Sequence, residues 1–223
     1  MQSFDPPVLE WLKHGPWSEF FLGPRRAARD SSGPGGPFVE CSRVTLKLAV
    51  PSLDLIAGYA AALEAGWSPD TTRDVSGEQL ALFRRDPAAL IAELTRQGGT
   101  ITTPSGAVVP KLPNRVFWLD DGDFCGSISL RFRPGATDLP PHVHGHVGYA
   151  VVPWKRQRGY ATEALRQLLP LAREFGLPKM QITCDEDNEP SRKVIVANGG
   201  VLERRYAEGD KTKLSFWIDL AAC

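Results

Sequence analysis

Polar and apolar residues alternate over residues 43–50, which predicts a first strand, because successive strand side chains point to opposite faces. Pro51-Ser52 offers a helix start, and residues 53–65 supply a helix that ends near Gly66. Ser76 followed by Gln79 has the spacing of a capping box opening a second helix. Asp86-Pro87 restarts that helix, since proline suits a first turn and not an interior. Leu90, Ile91 and Leu94 form its apolar stripe, and Gly98-Gly99 ends it. Residues 100–113, with Pro104, Pro110 and Pro113, predict a loop or a weak hairpin.

The second half is more regular. Strand-like residues 116–119 and 125–132 flank Asp121-Gly122, a strong hairpin signal. A proline- and histidine-rich loop covers 134–144, then a strand covers 146–152. Ala161, Ala164, Leu165, Leu168, Ala172 and Phe175 recur at helical spacing and predict a long amphipathic helix over about 157–175. A short strand over 180–184 follows, then a helix from Asn188 or Glu189 through Ala197, closed by Asn198-Gly199-Gly200. Residues 201–206 and 213–220, around a Gly209-Asp210 turn, read as a closing hairpin. This order predicts an α/β (α+β) domain over 41–223 with a mixed, mostly antiparallel sheet flanked by helices. At its centre is one right-handed crossover from the strand near 147–151 to that near 181–184. Residues 1–40 lie apart: Pro6-Pro7, Arg25-Arg26 and the Gly/Pro run at 33–37 predict an irregular N-terminal extension with one short helix near 8–13.

Composition narrows the function. Lys+Arg and Asp+Glu are equal at 26 each, so the formal net charge is zero, which argues against an electrostatic nucleic-acid partner. No run of about 18 apolar residues exists, and residues 1–15 lack a basic segment followed by an apolar one, so neither a membrane partner nor secretion is expected. Cys41, Cys125, Cys184 and Cys223 are scattered without a C-x-x-C pair, which points to reduced thiols in a cytoplasmic protein.

The chemistry centres on the passage from strand to long helix. Pro153 stops the strand, and Arg156, Gln157, Arg158, Gly159, Tyr160, Ala161 and Thr162 turn the chain into the helix. Free N–H groups and the macrodipole at a helix start favour an anion, Gly159 permits close backbone approach, and Lys155, Arg156 and Arg158 add positive charge. Together these suit a diphosphate. Neither a P-loop nor a dinucleotide fingerprint is present.

The segment resembles the R/Q-x-x-G-x-G/A motif of the GNAT superfamily, the GCN5-related N-acetyltransferases. Val151-Val152-Pro153 matches the V-x-P that precedes it, and Asn188-x-x-Ser191 with Gly199-Gly200 is similar to the family's second cofactor segment. Gly145-His146-Val147-Gly148-Tyr149, Ile182-Thr183-Cys184-Asp185 and Phe117-Trp118-Leu119 resemble a bacterial subgroup of acetyltransferases. The likeness spans about 43–220 and is densest over 145–203.

The resemblance implies the GNAT acyl-CoA N-acyltransferase fold, in which two central strands splay apart and acetyl-CoA serves as cosubstrate, with no metal. It implies that the amides of Tyr149 and Val151, with Val152 beside them, meet the acyl carbonyl and the pantetheine. The amides of Gln157 to Thr162, behind Arg156, would hold the pyrophosphate, and Asn188 and Ser191 would border the thiol end. The reaction implied is direct attack of a neutral amine on the thioester in a ternary complex, with the acceptor a small molecule or a protein amine. The tyrosine acid found seven residues after the asparagine in many relatives is replaced by Ile195. The glutamate base of many relatives falls in the stretch His142 to His146, where His146 is the candidate base.

Other groups have blander readings. His142 and His144 read as solvated loop residues, and no carboxylate or cysteine completes a metal set with the three histidines. Asp185-Glu186-Asp187 reads as an acidic cluster at a helix start, Phe117 and Trp118 as core, and Cys184 as a spectator thiol. A non-catalytic acyl-CoA-binding or regulatory module is the alternative to an enzyme, and a monomer or homodimer is expected.

Overall fold

The computed structural model describes residues 46–102, 106–133 and 135–221. The expected N-terminal extension with its helix near 8–13, the first residues of the first strand, and residues 103–105, 134, 222 and 223 lie outside the described residues. Residues Arg43–Cys223 make one compact unit.

The first strand is short, β1 (Lys47–Ala49). Three helices follow: α1 (Ile56–Glu64), α2 (Ser76–Arg85) and α3 (Pro87–Thr95). Ser52 does not cap α1, which begins four residues later without a side-chain cap bond. Nor does the capping box close: Ser76 is already helical and bonds Asp74, while Gln79 accepts from the Tyr59 hydroxyl. Asp86 behaves as the proline beside it demands, capping α3 through the Ala89 amide at 3.0 Å. The weak hairpin is real, as β2 (Thr100–Thr102) against β3 (Val108–Pro110).

Two larger antiparallel sheets carry the rest. The first has the order β1-β4-β5-β6, with β4 (Asn114–Asp120), β5 (Phe124–Arg131) and β6 (Val147–Val151). The second has the order β7-β9-β8, with β7 (Lys179–Asp185), β8 (Val201–Glu208) and β9 (Lys211–Asp219). Between them in sequence come α4 (Tyr160–Glu174), after a 3₁₀ turn Pro153–Lys155, and α5 (Glu189–Ala197). The long helix thus starts at Tyr160 rather than near 157, because Gly159 is left-handed at φ 78°.

Each sheet face has its own core. Leu165, Leu168 and Ala172 of α4 and Ile195 of α5 pack with Ile128, Leu130, Val147, Ile182 and Phe216 on one face. On the other, α1 and α3 place Tyr59, Leu63 and Leu90 against Trp118, Phe124 and Val152. Tyr59 stacks on Trp118 with centroids 4.7 Å apart, and Phe124 meets both edge-on. Trp118 is therefore core, as its pattern indicated; fully buried, it is sandwiched rather than exposed as a platform.

Candidate functional site

The edge strands β6 and β7 belong to different sheets, and the residues leading into β6 bond the middle of β7. There the His146 amide donates to the Gln181 carbonyl at 2.7 Å, the Gln181 amide donates to His146 Nδ1 at 3.0 Å, and the Thr183 hydroxyl donates to the His144 carbonyl at 3.2 Å. Past this point no ladder joins the strands, and they fork. The His146 carbonyl and the Val152 amide both bond β5, at 2.8 and 3.0 Å. In an antiparallel ladder alternate residues face the same neighbour, so even-numbered residues of β6 face β5. Val147, Tyr149 and Val151 turn their N–H and C=O groups the other way, into the fork.

The turn after β6 is shaped by two left-handed residues. Gln157 has φ 62°, the only positive value at a non-glycine among the described residues, and Gly159 has φ 78°. Such a pair around Arg158 exposes consecutive amides on one side, a concavity suited to anions. No hydrogen-bond acceptor meets the amides of Gln157, Arg158, Gly159, Tyr160, Ala161 or Thr162 among the described residues. The macrodipole of α4 points its positive end at the same place. These amides fit a diphosphate without side-chain help. The Arg156 guanidinium instead braces the Val151 carbonyl at 3.2 Å, and Arg158 reaches the Trp154 carbonyl at 3.3 Å.

Lys155 is likewise not a free cation. Its Nζ lies 2.7 Å from the Asp121 carboxylate and 3.4 Å from Cys125 Sγ, with the ion pair almost wholly covered. The Tyr160 hydroxyl donates to the other Asp121 oxygen at 2.6 Å. Burial alone would raise the Asp121 carboxyl, but these donors outweigh it and bring its pKa down to about 2. Burial pushes the Cys125 thiol up to about 11. The β4–β5 hairpin tip thus clamps both ends of the amide-rich turn, a role that Asp121's hairpin signal did not disclose. Asp121→Asn is expected to cost about 3 kcal/mol of stability, as removing one partner of a covered ion pair does. A thermal melt checks it.

The far wall of the fork is α5. Asn188 caps it, its Oδ1 accepting the Ser191 amide at 3.1 Å. Ser191 Oγ lies 2.6 Å from the Tyr149 hydroxyl, so β6 and α5 touch through side chains across the opening. Burial pushes the Tyr149 phenol up to about 12, against the opposing pull of that bond. The Asn198 amide nitrogen ties α5 to the Thr162 carbonyl at 3.2 Å.

Two expectations change. Val152 is not available to a cofactor: its amide bonds Cys125, its carbonyl accepts from Lys155, and its side chain is fully buried beside Trp118. His146 is poorly suited as a base: it is 0% exposed, Nδ1 is occupied by the Gln181 amide, and burial, with the Arg131 charge adding, pulls its pKa down to about 4. It is a clasp at the base of the fork. Its Nε2 is buried with no hydrogen-bond partner. His144 pairs with Glu208 at 2.9 Å, and no three His, Cys, Asp or Glu side chains converge as a metal set among the described residues. The Ile195 side chain is fully buried in the core beneath α5 and offers no acid.

Residues 103–201 match the family model described as an acetyltransferase (GNAT) domain. Among curated proteins none matches. Solved structures share the fold, among them two with a bound cofactor. One is the microcin C7 self-immunity acetyltransferase MccE in complex with acetyl-CoA and AMP, at 12% identity and TM-score 0.51, covering 79% of this chain and 94% of that one. The other is RimJ of Mycobacterium smegmatis in complex with CoA-disulfide, at 20% identity and TM-score 0.55, covering 79% of this chain and 83% of that one. At these identities the likeness is one of fold.

Proposed function

We propose that this chain, whose residues 103–201 match an acetyltransferase (GNAT) domain, moves an acetyl group from acetyl-CoA to an amine by direct attack in a ternary complex. The observation that carries this reading is the row of unpartnered amides from Gln157 to Thr162 at the mouth of the β6–β7 fork. They seat the pyrophosphate, while the fork-facing amides of Tyr149 and Val151 meet the thioester end. The acetyl group supplies an electrophilic carbonyl, and the Tyr149 N–H, already oriented, takes the developing oxyanion. Asn188 and Ser191 fix the α5 wall beside it.

The acceptor is a small-molecule or protein amine, which must arrive neutral or lose its proton to water, since His146 offers no accessible basic nitrogen. The phenol of Tyr149, protonated throughout the working range, is the group that we assign to protonate the departing thiolate. Tyr149→Phe is therefore expected to slow turnover about tenfold at unchanged acetyl-CoA affinity, less than general acid catalysis commonly contributes, because a thiolate leaves readily. Single-turnover rates check it.

A second reading is a non-catalytic acyl-CoA-binding module, favoured by Ile195 in place of an acid. Thiol release from acetyl-CoA in the presence of an amine panel separates the two. Amine-dependent release supports the enzyme, and tight acetyl-CoA binding without release supports the module. The free, buried Cys125 and Cys184 fit a reducing cytoplasm. No helix among the described residues is long and apolar enough to cross a membrane.

A further inference from the structure

The sheet face away from α4 and α5 is fully buried at one end and half-buried at the other. Trp118, Ser127 and Ala150 lie side by side across β4, β5 and β6 under the α1–α3 aromatics. One pleat further on, the row is Val116, Ser129 and Gly148, and beyond it stand Asn114 and Arg131. The side chains shrink where the helical cover ends, leaving a trough floored by Ser129 and Gly148. Arg131 lies over that floor: a Cβ on Gly148 would stand 2.8 Å from an Arg131 guanidinium nitrogen. Bare backbone at 148 is what lets the guanidinium lie there.

Among the described residues Arg131 has no salt bridge, and its guanidinium makes no hydrogen bond. It is half-buried, and desolvation draws its pKa below the usual value. The one acid that influences it, Asp70, turns its carboxylate into its own loop, accepting from the Thr72 amide at 2.8 Å and the Thr72 hydroxyl at 2.7 Å. A partly desolvated cation without a counter-charge is costly unless a ligand completes it. Neighbouring arginines do not share this state: Arg133 pairs with Asp138, and Arg115 lies over the Phe175 ring at 5.5 Å.

We propose that Arg131 is an anion subsite of the acceptor trough, taking a carboxylate or phosphate carried by the amine that is acetylated. The guanidinium lies on the residue immediately before Tyr149, whose amide faces the fork, so an acceptor anchored on Arg131 presents an amine a few bonds away to the thioester. A planar guanidinium binds either oxyanion through paired N–H donors. This inference rests on the acetyl-transfer reading of the fork.

Two measurements test it. Acetylation rates are compared for matched pairs, glycine against glycinamide and phosphoethanolamine against ethanolamine. The anionic member of at least one pair should be preferred about tenfold or more in kcat/KM, the worth of one charged hydrogen-bonded contact. Which pair shows the preference assigns carboxylate or phosphate. Arg131→Gln should erase the preference with the KM for acetyl-CoA unchanged, and Arg131→Lys should keep part of it. Equal use of both members, or a preference that survives in Arg131→Gln, overturns the proposal while leaving acetyl transfer standing. Independently of turnover, glycine or phosphoethanolamine should raise the melting temperature of the wild type and not of Arg131→Gln. No shift in the wild type overturns the subsite even in a protein that transfers nothing, whereas absence of acetyl-CoA binding sinks the transfer reading itself.

Discussion

Gly159→Glu is expected to weaken acetyl-CoA binding by more than about a hundredfold, roughly 3 kcal/mol, in a protein that still folds. Gly159 stands at φ 78°, where a side chain costs about 1 kcal/mol. A Cβ there meets no atom within 4 Å, so nothing in the protein resists it. Fold stability should therefore fall only slightly. The carboxylate, however, arrives among the unpartnered amides of Gln157 to Thr162 at the positive end of α4. It fills the anion seat from within and repels any phosphate that approaches. Gly159→Ala separates the two effects, because it carries the backbone cost without the charge and should lose affinity only severalfold. Calorimetric titration with CoA reads both. Affinity near wild type in a folded Gly159→Glu protein would remove the amide row from the binding site.

His146→Ala is expected to destabilise the protein by about 4 kcal/mol, through a cavity in the core and an unsatisfied Gln181 amide. The pH dependence follows from the depressed pKa. The unfolded imidazole titrates at its ordinary 6.5, the folded one at about 4. The unfolded state thus takes up the proton first as pH falls. The His146 contribution is fully present above pH 6.5 and is lost progressively down to about 4, amounting to about 3 kcal/mol. Denaturant unfolding at pH 7.5 and pH 4.5 should show this loss in the wild type and its absence in His146→Ala. His146→Asn, whose Oδ1 is able to accept from the Gln181 amide, should recover part of the stability. Turnover of His146→Asn between pH 6 and 9 should keep the wild-type profile, whereas a lost inflection would return His146 to the role of base.

Much of the architecture was legible from local pattern. The spacing of Ala161, Ala164, Leu165, Leu168 and Ala172 located α4, the Asp121-Gly122 turn located the β4–β5 hairpin, and Asp86-Pro87 marked the start of α3. The helix start expected at Ser76 differs because a serine offers its hydroxyl to whichever donor or acceptor the fold brings near, and here that is Asp74. The amide-rich turn was equally legible, because its geometry depends on Pro153, Gln157 and Gly159, neighbours in sequence.

What the sequence determined by itself was whatever a few consecutive residues settle among themselves: strands, helices, the amide-rich turn at 156–162 and the cap at Asn188. The tertiary structure alone decided how distant groups are spent. It gave the His146 ring to an amide 35 residues away, Lys155 and Tyr160 to a carboxylate 34 and 39 residues away, and the Tyr149 hydroxyl to Ser191, 42 residues on. It closed Val152 into the core and laid the Arg131 guanidinium over Gly148, with no counter-ion among the described residues. Residue type states what a side chain is able to bond. Which partner it meets, and how much water remains, depends on strand order and sheet packing, and those are set by the burial of the whole chain at once.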